Sequence, residues 1–519
     1  MTHVVHSAVR AGLIAAASTV IIGLTGIAYA QTVSTQPDGH FKAQDPGPRP
    51  LPASRIPNPI PNLEPNEMSL FQESILRVSE LEGSCDTCSL GPQNVPPLDP
   101  DPQNPFSPDE NNGLVNSAGM SPTFNADQCF ICHFQPVIGG SSPVPNPAIR
   151  MAHRLGATNF IPNFEKPDGP IKEVHFKFTP DGQRDGGVHS LFTLQGRTDT
   201  PQCTLKQPDF AAEQAKQNLT LRIPLQIVGL GLIESVQDNA ILANMNANQS
   251  IKHALGISGH PNIVPNNGTI SRFGWKAQNG SINIFAGEAY NVEMGITNDL
   301  FPIARNEDDN CNIAYEPFDV PRTDDGLYQN PLKIMPAWLM FTVFMRFVDA
   351  PRPVAFTASA QRGQQLFSST GCALCHNPQF KTRGIQNPNI TTPNQEIGPH
   401  VVALRGQDVN LYSDLLLHHM GATLADNIIQ GKAGPDEFRT TPLWGIGQRL
   451  FFLHDGRTNN LLTAIQDHFS AAGSDGGDNP FKDAQSRSYG PSEANAVVQR
   501  FNNLSEQDKQ SILDFLRSL

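Results

Sequence analysis

The 519 residues predict a mainly α fold with long loops and a few short strands, divided between two domains. Three observations carry that expectation. Apolar residues recur at helical spacing after about residue 67 and again from 358 to the C-terminus. The 45 Pro and 42 Gly lie between these stretches and break the helices into short pieces joined by loops. Two cysteine motifs of one form stand 243 residues apart, so each can occupy a domain of its own. Charged residues make up only 16%, which excludes a coiled coil, and 29 Phe are too many for a fully disordered chain.

The first element is an export signal. Residues 1–30 carry Arg10, then an apolar run, then Ala28-Tyr29-Ala30 before Gln31, the small-x-small pattern of a cleavage site. The rival reading is an uncleaved anchor helix. After cleavage no stretch is apolar for long enough to span a bilayer, so the protein is expected to be periplasmic or otherwise exported. Residues 31–66, rich in Pro, Asn and Gln, read as an extended tether. A helix follows, with Met68, Phe71, Ile75 and Val78 on one face and Gly83 after it. The Pro/Asp-rich stretch 96–112 is a surface loop. Segment 171–195 has strand character, with Val174, Phe176 and Phe178 alternating before a turn at Asp181-Gly182. Segment 221–245 is apolar, and its periodicity does not separate helix from strand. The domain boundary is placed near 345–355, giving an N-terminal domain over 67–350 and a C-terminal one over 351–519. The last helix starts at the N-cap Ser505 and presents Ile512, Phe515, Leu516 and Leu519 as a stripe.

A net charge of -13 argues against nucleic acid as a partner. Of the eight Cys, six form three C-x-x-C pairs. Cys129-Phe-Ile-Cys132-His133 and Cys372-Ala-Leu-Cys375-His376 are both C-x-x-C-H, each with a Phe (Phe124, Phe367) five residues ahead. That spacing lets two thiols add to the vinyl groups of one haem while the adjacent His reaches the iron. The rival reading is a disulfide or a zinc knuckle, but neither segment supplies a second pair of ligands nearby. The two motifs therefore predict two covalently bound haem c groups in cytochrome c-like domains. Cys85 and Cys88 lack the following His and read as a local disulfide, with a redox-active dithiol as the alternative. A bridge between Cys203 and Cys311 is the simplest pairing of the remainder. Each haem has a sixth position, and what fills it decides between electron transfer and binding of peroxide or dioxygen.

With these motifs the sequence resembles the di-haem c-type oxidoreductases, relatives of bacterial di-haem cytochrome c peroxidases, of the di-haem enzyme that matures methylamine dehydrogenase and, more distantly, of di-haem rubber oxygenases. The resemblance covers roughly residues 67–519. It rests on FNADQCFICH with Gly139-Gly140, and on GLGLIES, SRFGWKA, VEMGIT, LYSDLLLHHMG, FRTTPLWGI and FLHDGR. In the peroxidases a Met fourteen residues after the His of a His-Asp-Gly segment completes the electron-transfer haem. Here that offset from His454 falls on His468. The resemblance thus implies a bis-His haem on His376 and His468, at lower potential than a His/Met haem; the rival reading is a surface His on an amphipathic helix. Arg457 is implied as a propionate partner, with a surface salt bridge as the alternative.

The N-terminal haem, held by His133, is the expected catalytic one. The first His after it is His153, at a spacing unlike that of the peroxidases, with His175 and His189 later, so the distal position is expected to be open. Val292-Glu293-Met294 matches a segment whose glutamate handles peroxide protons, which makes Glu293 the implied catalytic acid-base and Glu234 the second choice. Trp275 matches a Trp between the haems, while Trp338 and Trp444 read as core. The implied reaction is reduction of hydrogen peroxide with electrons from a small donor protein or redox carrier. The alternatives are a non-catalytic electron carrier and an oxygenase or oxidase of an organic or protein substrate. No motif identifies a calcium ion between the domains.

Overall fold

A computed structural model describes residues 41–79, 81–83, 115–154, 161–194, 201–304, 311, 319–321, 335–382, 401–474 and 488–519. The export signal, the first part of the Pro-rich segment, Cys85, Cys88, the 96–112 loop and His400 lie outside these residues. Among the described residues, no helix is long and apolar enough to cross a membrane.

The helix expected after residue 66 runs Pro65–Val78, with Pro at its first position and Phe71, Ile75 and Val78 buried. It packs on Ala337–Phe347, a helix apolar on every side and buried along its length. Phe71 stacks on Phe344 there, with ring centroids 6.2 Å apart. A third helix, Ile282–Met294, is capped by Ser281, whose Oγ accepts from Ile284 N. These helices surround the larger core, which also takes Phe124, Val174, Ile233 and Tyr290. The C-terminal core centres on Ala358–Thr370 crossing Glu506–Ser518, with Phe367, Phe501, Ile512, Phe515 and Leu516 between them. The crossing is close because Gly363 lies against the backbone of Ser511, where a Cβ would collide with the carbonyl. Ser505 caps the last helix as expected, accepting from Asp508 N.

The mainly α expectation is overturned. The described residues are 33% helical and 14% strand, with several small sheets. The strand reading of 171–195 is realised in an antiparallel three-stranded sheet. Glu173–Phe176 lies between Val188–His189 and Leu219–Arg222, with Glu173 opposite Arg222 and Val174 opposite Leu221. Segment 221–245 divides between the end of that strand and the helices Leu230–Glu234 and Asp238–Asn246. The larger departure falls after Gly371, where helix was expected. Short ladders such as Leu417–His419 with Glu437–Arg439 alternate with loops. The physical reason is local: short polar side chains take the backbone bonds a helix would use. Asp414 accepts from Leu416 N, Asp426 from Ile428 N, and Ser413 Oγ from Leu415 N.

Residues 41–63 run extended over both cores. Ala43 N donates to Glu506, Asp45 pairs with Arg517 at 2.7 Å, and Arg49 N donates to Gly447 O. Farther along, Arg55 Nη2 donates to Phe134 O and Ile60 N to Phe347 O. Cys203 and Cys311 are joined in a disulfide.

Candidate functional site

Each C-x-x-C-H segment folds as a single tight turn that places its His at the wall of a cavity. In the C-terminal half, Cys372–Leu374 forms a 3₁₀ turn, and His376 N donates back to Cys372 O at 2.9 Å. The cavity it faces holds about 220 Å³ and is lined by Cys372, Cys375, His376, His454 and His468 among largely apolar neighbours. His376 Nδ1 lies 3.1 Å from Tyr412 O, and His468 Nδ1 lies 2.7 Å from Ala464 O. A carbonyl only accepts, so each Nδ1 carries the proton and each Nε2 keeps a lone pair. Removal from water, and then the neighbouring His468, push His376 down to about 4. Burial lowers His468 as well. Two neutral imidazoles with free Nε2 atoms thus share one cavity.

The same cavity is lined by Arg439 and Arg449, which sequence reading did not select. Burial pushes both guanidinium groups down to about 10. Arg439 Nε donates to Gly274 O and Arg449 Nε to Phe451 O, while Arg449 Nη2 has no partner. Neither has a carboxylate salt bridge among the described residues. Two buried cations at a cavity wall fit a ligand bearing anionic groups, as the propionates of haem are. Arg457, the expected partner, is instead held by Asp455 at 2.7 Å and Thr423 O at 2.9 Å and does not line the cavity. The only sequence signal for Arg439 was its place in FRTTPLWGI.

His418 forms part of this wall, between Asp414 at 3.0 Å and Glu493 at 2.6 Å. Burial opposes its charge, but the adjacent Cys375 sulphur and Asp414 outweigh it and hold its pKa well above the ordinary value. Cys375, Asp414 and His418 offer ligand atoms within 4.8 Å of one another, yet an imidazolium with both nitrogens bonded has no lone pair for a metal.

In the N-terminal half, Cys129–Cys132 is one helical turn. His133 Nδ1 donates to Gly140 O at 3.2 Å, and its carbonyl accepts from Gly139 N. Gly140 is required there because a Cβ would collide with the Gln135 carbonyl. This cavity holds about 170 Å³. Helix Ile282–Met294 contributes Tyr290, Glu293 and Met294, and helix Ala337–Phe347 contributes Phe341, Phe344 and Met345. Among the described residues, His133 is its one histidine, and carboxylates stand in place of a second imidazole. Glu293 Oε2 accepts from Asn125 Nδ2 at 3.0 Å, and the Glu293 carboxyl is hydrogen-bonded to Glu173.

His175 does not line this cavity. Its ring nitrogens are taken by Glu173 and by Gly186 O. His189 is bound to Asp185 at 2.9 Å and stacks on Phe176. His153 belongs to helix Ala148–Arg154, and its side chain is outside the described residues. Glu234 is remote from the cavity: it pairs with Arg346 at 2.7 Å and accepts from Ile282 N.

Trp275 is the one residue, among those described, that lines both cavities. Its Nε1 donates to Ile223 O at 2.8 Å, and its ring meets His454 edge-on at 6.4 Å. Trp338 and Trp444 are buried in the larger core. His454 is a lining residue that sequence reading used only as a landmark; it stacks on Phe438, and burial pushes it down to about 4.

The four motif cysteines are free thiols, so the disulfide alternative does not hold. Burial pushes the Cys129 and Cys372 thiols up to about 12, and among the described residues neither motif gathers the four donors of a zinc site. Each cavity therefore offers two thiols, a histidine and apolar walls, and the C-terminal one adds a second imidazole and two buried guanidinium groups without a carboxylate salt bridge among the described residues. That donor set fits haem.

A family profile described as "Di-haem oxidoreductase, putative peroxidase" matches residues 172–519, which include the second C-x-x-C-H motif and begin after the first. No curated protein matches the chain. Among solved structures, Kuenenia stuttgartiensis hydrazine synthase pressurised with 20 bar xenon is 14% identical, with 37% of this chain and 56% of that one covered and a TM-score of 0.19. The chain thus spans little more than half of that neighbour's length, and a likeness at this level carries no argument.

Proposed function

Because the chain belongs to the di-haem oxidoreductase family, we propose that it is an exported, periplasmic c-type peroxidase that reduces hydrogen peroxide at its N-terminal haem. One observation carries the reading: the two cavities differ in what accompanies the motif histidine. The C-terminal cavity supplies two imidazoles with open Nε2 atoms, and the N-terminal one supplies one imidazole with a pair of carboxylates. A haem held by two imidazoles carries electrons, whereas one held on one side leaves a position for substrate.

In this reading Cys129, Cys132 and His133 would hold the N-terminal haem, and Cys372, Cys375, His376 and His468 would hold the other. When bound, haem iron supplies the electron exchange that breaks the O–O bond. Glu293, fixed by Asn125, acts as the general acid that delivers a proton to the leaving peroxide oxygen. Tyr290, Phe341 and Phe344 keep bulk water out. Electrons enter through the C-terminal domain and cross by Trp275, the residue common to both cavity walls. The net charge of -13 suits a small donor with a basic face.

The test is optical and electron paramagnetic resonance spectroscopy of the mature protein, oxidised and half-reduced, with and without cyanide. One low-spin haem and one that is high-spin or cyanide-responsive in either state is the expected result, with peroxide turnover following. Two unresponsive low-spin haems in both states would make the protein an electron carrier and end the peroxidase reading. A responsive haem with no peroxide turnover would turn attention to an organic or protein substrate.

A further inference from the structure

Beyond the single glutamate, the N-terminal cavity holds a chain of titratable groups that leads away from the substrate space. Glu293 is its inner end. Its carboxyl is hydrogen-bonded to Glu173, which also lines the cavity. Two carboxyl groups share a hydrogen bond only when a proton sits between them. Glu173 is bonded in turn to His175 Nε2, and His175 Nδ1 lies 3.0 Å from Gly186 O. With one neighbour a carbonyl and the other a carboxylate, both ring nitrogens face acceptors, the arrangement of an imidazolium. The side chain of His175 is only 2% exposed and that of Glu173 32%, so His175 is reached from outside through Glu173.

The backbone sets the array. Glu173 and His175 lie two apart on the central strand Glu173–Phe176, on one face of the sheet. Arg222 stands opposite Glu173 on the next strand, and Asp185 is the further charge that acts on His175's surroundings. Burial would raise the pKa of Glu173, but His175 and then Arg222 overcome it and keep that carboxylate low.

We propose that Glu293, Glu173 and His175 form a two-proton store that supplies peroxide reduction, with Glu173 and His175 as positioning residues acting through Glu293. The inference rests on the peroxidase reading. Reduction of one hydrogen peroxide to two waters consumes two electrons, drawn from the donor protein, and two protons. Cleaving the O–O bond needs a proton on the leaving oxygen, and releasing the second water needs another. The proton shared by Glu293 and Glu173 meets the first demand. The His175 Nε2 proton moves to Glu173 and on to Glu293 for the second. The array then refills from solvent before the next turnover.

The experiment pairs infrared difference spectroscopy of the haem-loaded protein with steady-state peroxide kinetics, on the parent protein and on E293Q, E173Q and H175Q. The parent protein should show a protonated-carboxyl band at neutral pH that moves in heavy water, vanishes in E293Q and is displaced or lost in E173Q. E173Q and H175Q should lower kcat at least tenfold with KM within twofold and an unchanged Soret band. If H175Q fails to fold, the near-isosteric E173Q carries the test. A missing carboxyl band, a band identical in E173Q, or unaltered kcat in a folded E173Q would overturn the store. The expected bands in a parent protein inert towards peroxide would overturn the peroxidase reading alone.

Discussion

The two cavities are built on the same five-residue turn and differ in the wall that faces it. At the C-terminal one, His468 comes from the turn after helix Leu461–Gln466 and points its open nitrogen into the space that His376 faces. At the N-terminal one, a helix brings Glu293 and a strand brings Glu173. The first wall is neutral imidazole backed by two buried guanidinium groups; the second is acid and aromatic. A motif that fixes the cofactor therefore does not fix its use. On the proposed reading, the second element, distant in sequence, decides between holding an electron and moving a proton.

The largest way to break the comparison is to remove one turn. A Cys129→Ala/Cys132→Ala protein should lose one covalently bound haem by mass and all peroxide turnover, while the C-terminal spectrum persists. Retention of both haems would refute the assignment. Glu293→Gln should lower peroxide turnover by ~10²–10⁴-fold with both haems retained; an unaltered rate removes Glu293 from the chemistry. His468→Ala should make the C-terminal cavity resemble the other, converting its haem to a high-spin form that binds cyanide. A native six-coordinate low-spin spectrum in that variant would show that another group is the ligand.

A smaller effect tests the polar joint between the halves. Asp426 bridges Arg222 at 2.7 Å and Lys276 at 2.9 Å. Burial opposes its charge, but those two cations hold it at about 2. Because the folded value lies below the unfolded one, the stabilisation is full above about pH 4 and is lost as pH falls through about 2. Asp426→Asn should cost ~3–5 kcal/mol at neutral pH by stranding two buried cations. Its deficit relative to the parent protein should shrink below pH 4 in denaturant titrations; a constant deficit would show that the charge is not what matters. The smallest effect is expected of Trp275→Phe, which loses the bond to Ile223 O, worth ~1 kcal/mol, and should slow electron passage between the haems in flash photolysis. An unaltered passage rate would remove Trp275 from the path.

Much of this contrast was legible in the sequence where chemistry and spacing are local. The C-x-x-C-H turns, the helix ending at Val78, the Ser505 cap and the strand through Val174 and Phe176 each depend on residues close along the chain. His468 and Glu293 stood out by resemblance, and the fold brings each to the cavity expected of it. What stayed hidden depends on long-range closure. Arg439 and Arg449 look like ordinary surface cations until the loops fold over them. Glu234 looked like a catalytic acid until Arg346, 112 residues away, was seen to take it. The small ladders after Gly371 were misjudged because apolar spacing does not record which side chains will claim the backbone's hydrogen bonds.

The extended segment that begins at Phe41 has a consequence for how the molecule is made. Asp45 finds Arg517 across 472 residues, and Arg49 reaches the carbonyl of Leu519. A chain delivered N-terminus first carries this latch early and receives its keeper last. Both C-x-x-C-H turns are then delivered before the latch can fasten. If haem joins those turns as proposed, it has its opening in that interval, before the final helix fastens the latch.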